Sequence, residues 1–524
     1  MAAPLVVEGS GQWYGNDGSW SGFMIQAGTP PQTFEVFPSF QSSNIWLPNG
    51  EECNRLQSDV QSCGSSRGAA PFQQRPSPGF QTNMSSTWQG INLYQLGLEQ
   101  NHGITGSGFV GFDNVLLNDI EVEKFIVTAY AAPGLWLGHI GLLPLPINYS
   151  ETINSPSFLS ILKDEGHIPS LAYGYQAGAS YRGTKTPGSL ILGGYDNSRA
   201  SKPLTVKINS DITRALTVAV HDMVATNTMN GTLSLINNEQ ILAPLDSSIP
   251  EMWLPKSVCD RFESVYGLEY HEASGRYVLP DSQRDKLREL KPVLTITIGS
   301  DASLTGNTTT ISLPYAAFDL QASYPIFANT TNYFPIRRAD NATQYAIGRA
   351  FLQEAYVGVD FESGIFNVSA AKWDNLEPEV IPVSPRLNIT TYTIEVIKSK
   401  KGISGGAIAG IVVGCVAAIA LLIAGAWLFA RKRKRNNASE DVAMDTIVNE
   451  KAMCDGSEPA ELEPNVINIS ELPDKHGKSE LHEGRPVPEL GDPDYVYELP
   501  AQKFHEMSTD DEQQDEKSEA RTGR

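Results

Sequence analysis

Two distant segments of the chain share a sequence motif. Residues 28–48 read GTPPQTFEVFPSFQSSNIWLP, and residues 246–255 read DSSIPEMWLP. Both end in Trp-Leu-Pro, which begins at Trp46 in the first copy and at Trp253 in the second, so the two copies are displaced by 207 positions. A repeat at this distance indicates a duplicated unit, which predicts a fold of two similar lobes.

A second pair of segments follows the same displacement. Ile140-Gly141 in LGHIGLLP falls on Ile347-Gly348 in YAIGRAF. Each lobe is therefore predicted to contribute one polar loop and one hydrophobic-Gly element. In this register Ser39 of the first loop stands opposite Asp246 of the second.

These segments resemble the conserved stretches of the pepsin-like aspartic proteases. The first copy is similar to that family's first active-site segment, whose usual form is Asp-Thr-Gly-Ser-Ser-Asn-Leu-Trp, and LDSSIPEMWLP resembles the second. GSLILGGYD (188–196) resembles the strand pair that closes the first lobe, and IGRAFLQEAYVGVD (347–360) resembles the hydrophobic-Gly stretch of the second. The resemblance extends over residues 12–373. It implies an all-β, bilobal pepsin-like fold with a substrate cleft and aspartic-type endopeptidase activity.

The composition agrees with a loop-rich β protein that is followed by regions of another kind. The chain has 45 glycines, 33 prolines and only 19% charged residues, and its short apolar runs are separated by Gly, Pro, Asn and Ser. We predict an N-terminal leader remnant at 1–11, an N-terminal lobe at 12–200, a C-terminal lobe at 201–385, a juxtamembrane linker at 386–402, a transmembrane helix at 403–430 and a disordered, acidic cytoplasmic tail at 431–524. Short helices are expected near Phe158 and around Cys259, whose thiol should be packed and unreactive.

The membrane prediction rests on residues 403–430. This segment has no charged residue and is followed at once by RKRKR, and it exceeds the ~20 apolar residues that cross a bilayer. The positive-inside rule then predicts a single-pass protein with its tail in the cytoplasm and its body outside or lumenal, most simply at the plasma membrane. Gly406, Gly410 and Gly414 would share one helical face and permit a homodimer, although small residues are common in membrane helices generally.

The predicted body also has features of an exported glycoprotein. Asn-X-Ser/Thr glycosylation motifs occur at Asn83, Asn148, Asn230, Asn307, Asn329, Asn341, Asn367 and Asn388, and Cys53 and Cys63 are spaced for a short disulfide loop. The first residues have no basic region and no long apolar region, so we expect a leader that is absent from this sequence. The net charge of −21 argues against a nucleic-acid partner, because a phosphate backbone requires a basic surface.

The two positions to which the resemblance assigns catalysis differ in chemistry. Aspartic proteases use two carboxyl groups that share one proton: the ionised group activates water, and the protonated group donates to the scissile carbonyl. Here the two positions are Ser39 and Asp246, so a hydroxyl replaces one carboxyl. Loss of one partner in acid-base catalysis costs about two to four orders of magnitude in rate. We therefore expect an impaired site in which Asp246 is a solitary carboxyl.

Neighbouring positions also depart from the family pattern. Phe40 and Gln41 replace the usual Thr-Gly of the first loop, Ser247 and Ser248 replace it in the second, and Leu96 precedes the flap glycine where a tyrosine is usual. Ser247 can still supply a hydroxyl to the opposite loop, but Phe40 cannot. All five residues are expected to line a cleft that accepts a peptide or protein ligand.

Two functions from different classes are left open by the sequence. One is a catalytically impaired homologue that binds peptides in an intact cleft, and the other is an active aspartic-type endopeptidase that uses Asp246 with another partner. Glu35 is an unsuitable partner because an extended strand would place it about 13 Å from Ser39. The histidines are scattered, so no metal or cofactor is expected. A second acidic side chain in contact with Asp246 would contradict the inactive interpretation.

Overall fold

A computed structural model of the chain describes residues 2–386, apart from 56–59, 151–152, 184, 238, 304 and 375–376. Most regular structure in this part is β-strand, as the all-β prediction requires. None of the helices in these ranges is long and apolar enough to span a bilayer. The predicted transmembrane helix at 403–430, the tail at 431–524 and all but the first residue of the linker lie outside the described residues.

The strands are short and separated by turns rich in Gly, Pro and Asn. In chain order they are β1 (Leu5–Val7), β2 (Trp13–Tyr14), β3 (Trp20–Ser21), β4 (Phe23–Ala27), β5 (Gln32–Ser39), β6 (Ile45–Pro48), β7 (Gln89–Gln95), β8 (Ser107–Leu117), β9 (Ile120–Ala131), β10 (Gly138–Gly141), β11 (Ile147–Ser150), β12 (Ile153–Ser155), β13 (Ala172–Gln176), β14 (Ser189–Leu192), β15 (Gly194–Asp196) and β16 (Leu204–Lys207). They continue with β17 (Thr217–Thr228), β18 (Gly231–Ser234), β19 (Ile241–Pro244), β20 (Met252–Pro255), β21 (Glu269–His271), β22 (Arg276–Val278), β23 (Val293–Gly299), β24 (Thr308–Pro314), β25 (Leu320–Ala322), β26 (Thr331–Phe334), β27 (Ile336–Ala339), β28 (Ala346–Ile347), β29 (Ala355–Asp360), β30 (Ile365–Ala370) and β31 (Val380–Pro382).

Each lobe has its own sheets. In the N-terminal lobe the order is β4, β5, β10, β6, β9, β8, β7. In the C-terminal lobe β18, β17, β23 and β24 follow one another with β19 also paired to β17, β20 lies between β27 and β28, and β21, β22, β26 and β25 form a further sheet. Most of β5 is buried, so its last residue, Ser39, ends in the interior.

A six-stranded sheet joins the two lobes. Its order is β1, β14, β13, β29, β30, β16, so it takes strands from both halves of the chain. Leu5 and Val7 of β1 lie opposite Leu192 and Leu190 of β14. The assignment of residues 1–11 to a leader remnant is therefore wrong for Leu5–Val7, because this apolar triplet completes the edge of the joining sheet.

The helices are few and short. They are α1 (Glu51–Arg55), α2 (Val60–Ser66), α3 (Phe158–Asp164), α4 (Lys256–Tyr266), α5 (Asp281–Leu290) and α6 (Arg349–Leu352). The sequence-based predictions of α3 and α4 are confirmed, and Cys259 on α4 is a buried free thiol. Only Leu287 of α5 is buried, which explains why its apolar spacing was too sparse to predict it.

The predicted disulfide is confirmed. Cys53 on α1 is bonded to Cys63 on α2, with their Cα atoms 5.6 Å apart. The bridge joins two short helices, and both cysteines are buried.

The register of the internal repeat appears in both lobes. In the N-terminal lobe Pro38 lies opposite Ile140 in a parallel pair, and in the C-terminal lobe Leu245 lies opposite Ile347, also parallel. An antiparallel pair then follows in each lobe: His139 faces Trp46 in the first, and Ala346 faces Trp253 in the second. The two loops thus have the same framework of strands, which confirms the predicted duplication.

Candidate functional site

The equivalent positions Ser39 and Asp246 meet at the floor between the lobes. Ser39 ends β5 and Asp246 follows β19, and both side chains are buried. The hydroxyl of Ser39 lies 2.8 Å from the hydroxyl of Ser248, while the Ser248 backbone N–H donates to Asp246 Oδ1 at 2.8 Å. Since both loops have the same strand register, Ser39 is not displaced by misalignment. The first loop presents a hydroxyl where its counterpart presents a carboxyl.

The two loops are linked across the floor in one direction. The Ser247 hydroxyl donates to the Pro38 carbonyl at 2.6 Å and accepts from the Phe40 N–H at 3.1 Å. Phe40 has no hydroxyl with which to return the link. Its ring packs instead against Tyr173 and Tyr175, with centroid distances of 5.6 and 5.4 Å. The expectation that Ser247 supplies a hydroxyl is confirmed, and hydrophobic packing replaces the reciprocal bond.

A second carboxyl reaches Asp246 from the loop that covers the cleft. This covering loop, residues 96–106, connects β7 to β8, and Glu99 lies in it immediately before the 3₁₀ turn Gln100–His102. Glu99 has a left-handed backbone with φ of 58° and a buried side chain. A carboxyl oxygen of Glu99 lies within 4.8 Å of a carboxyl oxygen of Asp246. The expectation that Asp246 is a solitary carboxyl is therefore wrong.

His102 completes a buried polar cluster with these two carboxyls. Its Nδ1 lies 2.6 Å from Glu99 Oε2, and one ligand-type atom of each of the three residues lies within 4.8 Å of the other two. The i, i+3 spacing of Glu99 and His102 in a short turn was the available sequence signal. It was missed because the turn lies far along the chain from both active-site segments.

The covering loop is attached to the C-terminal lobe. Asn101 donates to the carbonyl of Thr343 at 2.8 Å, and Gln344 donates back to the carbonyl of Asn101 at 2.9 Å. His102 Nε2 lies 3.1 Å from the Gln344 carbonyl, and its ring packs on Trp253 at 4.8 Å. These contacts hold Glu99 over the floor, so the cleft is closed at Asp246.

Burial and neighbouring groups raise the pKa values of both Asp246 and His102. Burial raises the pKa of Asp246 well above its ordinary value, and the Glu99 charge and hydrogen bond add to the rise, while His102 and the Ser248 N–H oppose it. Burial lowers the pKa of His102, but the hydrogen bond and charge of Glu99, with the charge of Asp246, outweigh burial and raise it.

Glu99, His102 and Asp246 also have ligand atoms close enough together to hold a metal ion. Both ring nitrogens of His102 are, however, engaged with Glu99 and with the Gln344 carbonyl. A metal would have to displace one of these contacts. In the present arrangement, these contacts of His102 occupy the ring nitrogens that a metal ion would need.

A cavity of about 390 Å³ lies beside the cluster and is lined by both lobes. Ser248 lines this cavity, as predicted for a cleft residue. Phe40, Ser247 and Leu96 are buried in packing and do not line it, and Gln41 is half-buried outside it. The Glu35 carboxyl interacts with Ser10 and Tyr14, so it belongs to another part of the N-terminal lobe.

Comparison with known proteins gives a match over the two lobes. A family model described as eukaryotic aspartyl protease matches residues 22–372, which is more than half of the chain. Aspartic proteinase 3 of Saccharomyces cerevisiae is 25% identical over 343 residues, covering 61% of this chain and 53% of that protein. Gastricsin of Suncus murinus is 26% identical over 179 residues (33% and 41%), and vacuolar protease A of Arthroderma otae is 30% identical over 112 residues (21% and 24%).

The chain thus spans about a quarter to a half of the length of these relatives. The matched residues include both active-site segments, the covering loop and every strand of the joining sheet except β1. The duplicated strand register and the paired loops at the floor agree with that match. The chain therefore belongs to the eukaryotic aspartyl protease family.

Proposed function

We propose that the body of this protein is a peptide-binding domain, anchored to a membrane, whose proteolytic activity is impaired. The observation that carries the proposal is the 2.8 Å hydrogen bond between the hydroxyls of Ser39 and Ser248, at the position equivalent to Asp246. A serine hydroxyl does not ionise in the pH range in which a carboxyl pair works, so it cannot share a titrating proton. The missing acid-base partner costs about two to four orders of magnitude in rate.

A second acidic side chain beside Asp246 is the observation expected to contradict an inactive site, and Glu99 is such a side chain. The proposal of impaired activity therefore depends on where Glu99 lies, which is on the covering loop and not on the floor. A peptide strand that enters between loop and floor must separate the two carboxyls by about 5 Å, the width of one strand. The carboxyls then no longer share a proton, and Asp246 faces only the Ser39 hydroxyl.

A second candidate function is an active aspartic-type endopeptidase, and the Glu99–Asp246 contact favours it. In this candidate Asp246 acts from the floor and Glu99 acts from the covering loop, on opposite sides of the bound peptide. One carboxyl would activate the water and the other would protonate the product amine. The two candidates share the cleft but differ in whether Glu99 stays within reach of the scissile bond.

Peptide turnover separates the two candidates. The full-length protein in detergent is incubated with a mixed peptide library from acid to neutral pH, and products are identified by mass spectrometry. The proposal expects binding without cleavage, with the same result in D246N. Cleavage that a statine-type inhibitor blocks and that both D246N and E99Q abolish would establish the endopeptidase instead.

The membrane part of the proposal rests on the apolar segment 403–430 and the basic run after it. In this arrangement the body is outside the plasma membrane, the acidic tail 431–524 is cytoplasmic, and Gly406, Gly410 and Gly414 line a homodimer contact. Glycosylation is supported by exposure of the motif asparagines: Asn83, Asn148, Asn230, Asn307, Asn329 and Asn341 are exposed, Asn367 is half-buried, and Asn388 lies outside the described residues. Protease protection of the tail in intact cells, together with a glycosidase-sensitive mass, tests this orientation.

A further inference from the structure

The cavity beside the cluster carries an excess of positive charge. Three arginines line it, together with the carboxylates of Asp17 and Glu251. Each carboxylate is already paired: Arg276 Nε lies 2.8 Å from Glu251, and Arg349 Nη2 lies 3.3 Å from Asp17. One guanidinium, that of Arg337, is left over. An unpaired positive side chain in a binding cleft is unexpected in a chain whose net charge is −21.

Arg337 has no polar partner among the described side chains. Its Nε is buried without a hydrogen-bond partner, and every ion pair that the described arginines of this cavity form belongs to Arg276 or Arg349. His139 also lines the cavity, but burial and the neighbouring Arg349 lower its pKa to about 3, so it is neutral. His102 faces the cavity and is bound to Glu99. Glu251 acts on Arg337 as well as on Arg276, but two carboxylates against three guanidiniums leave one positive charge of the cavity unbalanced.

Aromatic stacking holds Arg337 in position. Its guanidinium carbon lies 4.4 Å from the centroid of the Trp253 ring, and the two residues are directly opposite in the parallel pair β20–β27. A stacked guanidinium keeps its planar fork of N–H donors available at the edge, which suits a carboxylate. Because the side chain is already ordered, a ligand loses little conformational entropy in binding to it. Burial lowers the pKa of Arg337, with Glu251 opposing and Arg276 adding to the effect, and a bound anion would reverse that cost.

We propose that Arg337 forms a subsite for a carboxylate of the bound peptide, in the cavity next to the covering loop. The carboxylate comes either from an Asp or Glu side chain or from the C-terminus of the peptide, and both present the same two oxygens to the guanidinium. This inference rests on the proposed peptide-binding function and names the class of peptide, an acidic one. A charge-assisted hydrogen bond of this kind changes affinity by about 10- to 100-fold.

Matched peptides test the subsite on the full-length protein in detergent. Fluorescein-labelled hexapeptides of Ala, Val and Phe carry one Asp, moved through the positions in turn, with an amidated C-terminus; Asn replaces Asp in the control set. A third set has Asn and a free C-terminal carboxylate. Fluorescence anisotropy is expected to give about 10- to 100-fold tighter binding for Asp than for Asn at one position, or for the free over the amidated terminus. Equal affinities for charged and neutral peptides would overturn the subsite.

Variants assign the preference to Arg337. R337Q should remove the difference between charged and neutral peptides, and R337K, which keeps the charge but not the planar fork, should retain part of it. R288Q is the matched control, because Arg288 pairs with Asp319 and does not line the cavity. A preference that persists in R337Q would refute the assignment. Failure of every peptide to bind would instead overturn the proposed function, and the subsite with it.

Discussion

The carboxyl of Glu99 lies within 4.8 Å of the carboxyl of Asp246, so the loop over the cleft reaches the floor at this point. The two residues come from different lobes. His102 and Asn101 add further contacts from the same loop to the C-terminal lobe. Opening of the cleft at Asp246 therefore requires that a buried pair of acids be separated, and several predictions depend on that pair.

Asp246 and His102 should each contribute more stability at acid pH than at neutral pH. The pKa of Asp246 is raised above its ordinary value of about 3.9, so the folded protein binds a proton that the unfolded chain has lost. The pKa of His102 is also raised, which acts in the same direction. Both contributions are present below the ordinary pKa values and are lost as the pH rises through the raised ones. Between the ordinary and the raised pKa values, these two groups should lower the melting temperature as the pH rises, which thermal unfolding at a series of pH values measures.

The variant D246N isolates the contribution of Asp246. An amide is neutral at every pH and can donate to Glu99, so D246N should melt at a higher temperature than the unmodified protein at neutral pH and should have a flatter pH profile. D222N is the control, because Asp222 lies on β17 outside the cluster. An unchanged slope in D246N would show that Asp246 is ionised in the folded protein.

Removal of Glu99 should open the covering loop. E99A deletes the 2.6 Å contact with His102 Nδ1 and the carboxyl that lies beside Asp246, and hydrogen bonds between charged groups contribute about 1.5 to 3 kcal/mol. Hydrogen exchange at residues 96–106 should therefore become about 10- to 100-fold faster, and peptides should bind more tightly because the closed state competes less. E123A is the matched control, since Glu123 is exposed on β9. Weaker peptide binding in E99A would mean that Glu99 contacts the ligand.

Restoring a carboxyl at position 39 should create activity only when Glu99 does not interfere. S39D places an acid beside Asp246, yet Glu99 still holds Asp246 and closes the cleft, so S39D alone should remain inactive. The double variant S39D/E99A should cleave peptides at acid pH, with a gain of about two orders of magnitude or more over E99A. Adding D246N should abolish that gain. Equal turnover in S39D/E99A and E99A would show that Ser39 is not the limiting defect.

S39D should also destabilise the protein. Ser39 is fully buried, with 0% of its surface exposed, and a carboxyl there loses water without gaining a cation. We expect a loss of about 1 to 3 kcal/mol in the free energy of unfolding at neutral pH, and less at acid pH where the acid is protonated. Urea unfolding at the two pH values measures the difference. An equal loss at both would point to a steric rather than an electrostatic cause.

Loss of the disulfide should weaken the N-terminal lobe. Cys53 and Cys63 are separated by 10 positions, and closing so short a loop stabilises a protein by about 2 to 3 kcal/mol. C53S/C63S should lower the melting temperature by the same amount as reduction of the unmodified protein. C259S is the control, because Cys259 is a free thiol. A further effect of reductant on C53S/C63S would indicate another bond.

The sequence alone determined the duplicated architecture. The displacement of Trp46 onto Trp253 and of Ile140 onto Ile347 predicts the strand pairs that recur in both lobes. It also fixes Ser39 as the counterpart of Asp246. The disulfide and the helices α3 and α4 follow from short spacings along the chain. Such features are readable because residues near in sequence, or related by one constant displacement, share a local geometry.

Only the tertiary structure decided what stands around Asp246. Glu99 reaches it because the covering loop is bound to Thr343 and Gln344, and Arg337 faces the cavity because β27 lies beside Trp253. The Phe40 ring packs against the joining sheet, where it contacts Tyr173 and Tyr175 of β13. The contacts of the covering loop link opposite lobes, and the other two relationships link distant residues of one lobe, in each case with no periodic spacing. The position of each side chain is set by residues far along the chain, and that information is not present in local sequence.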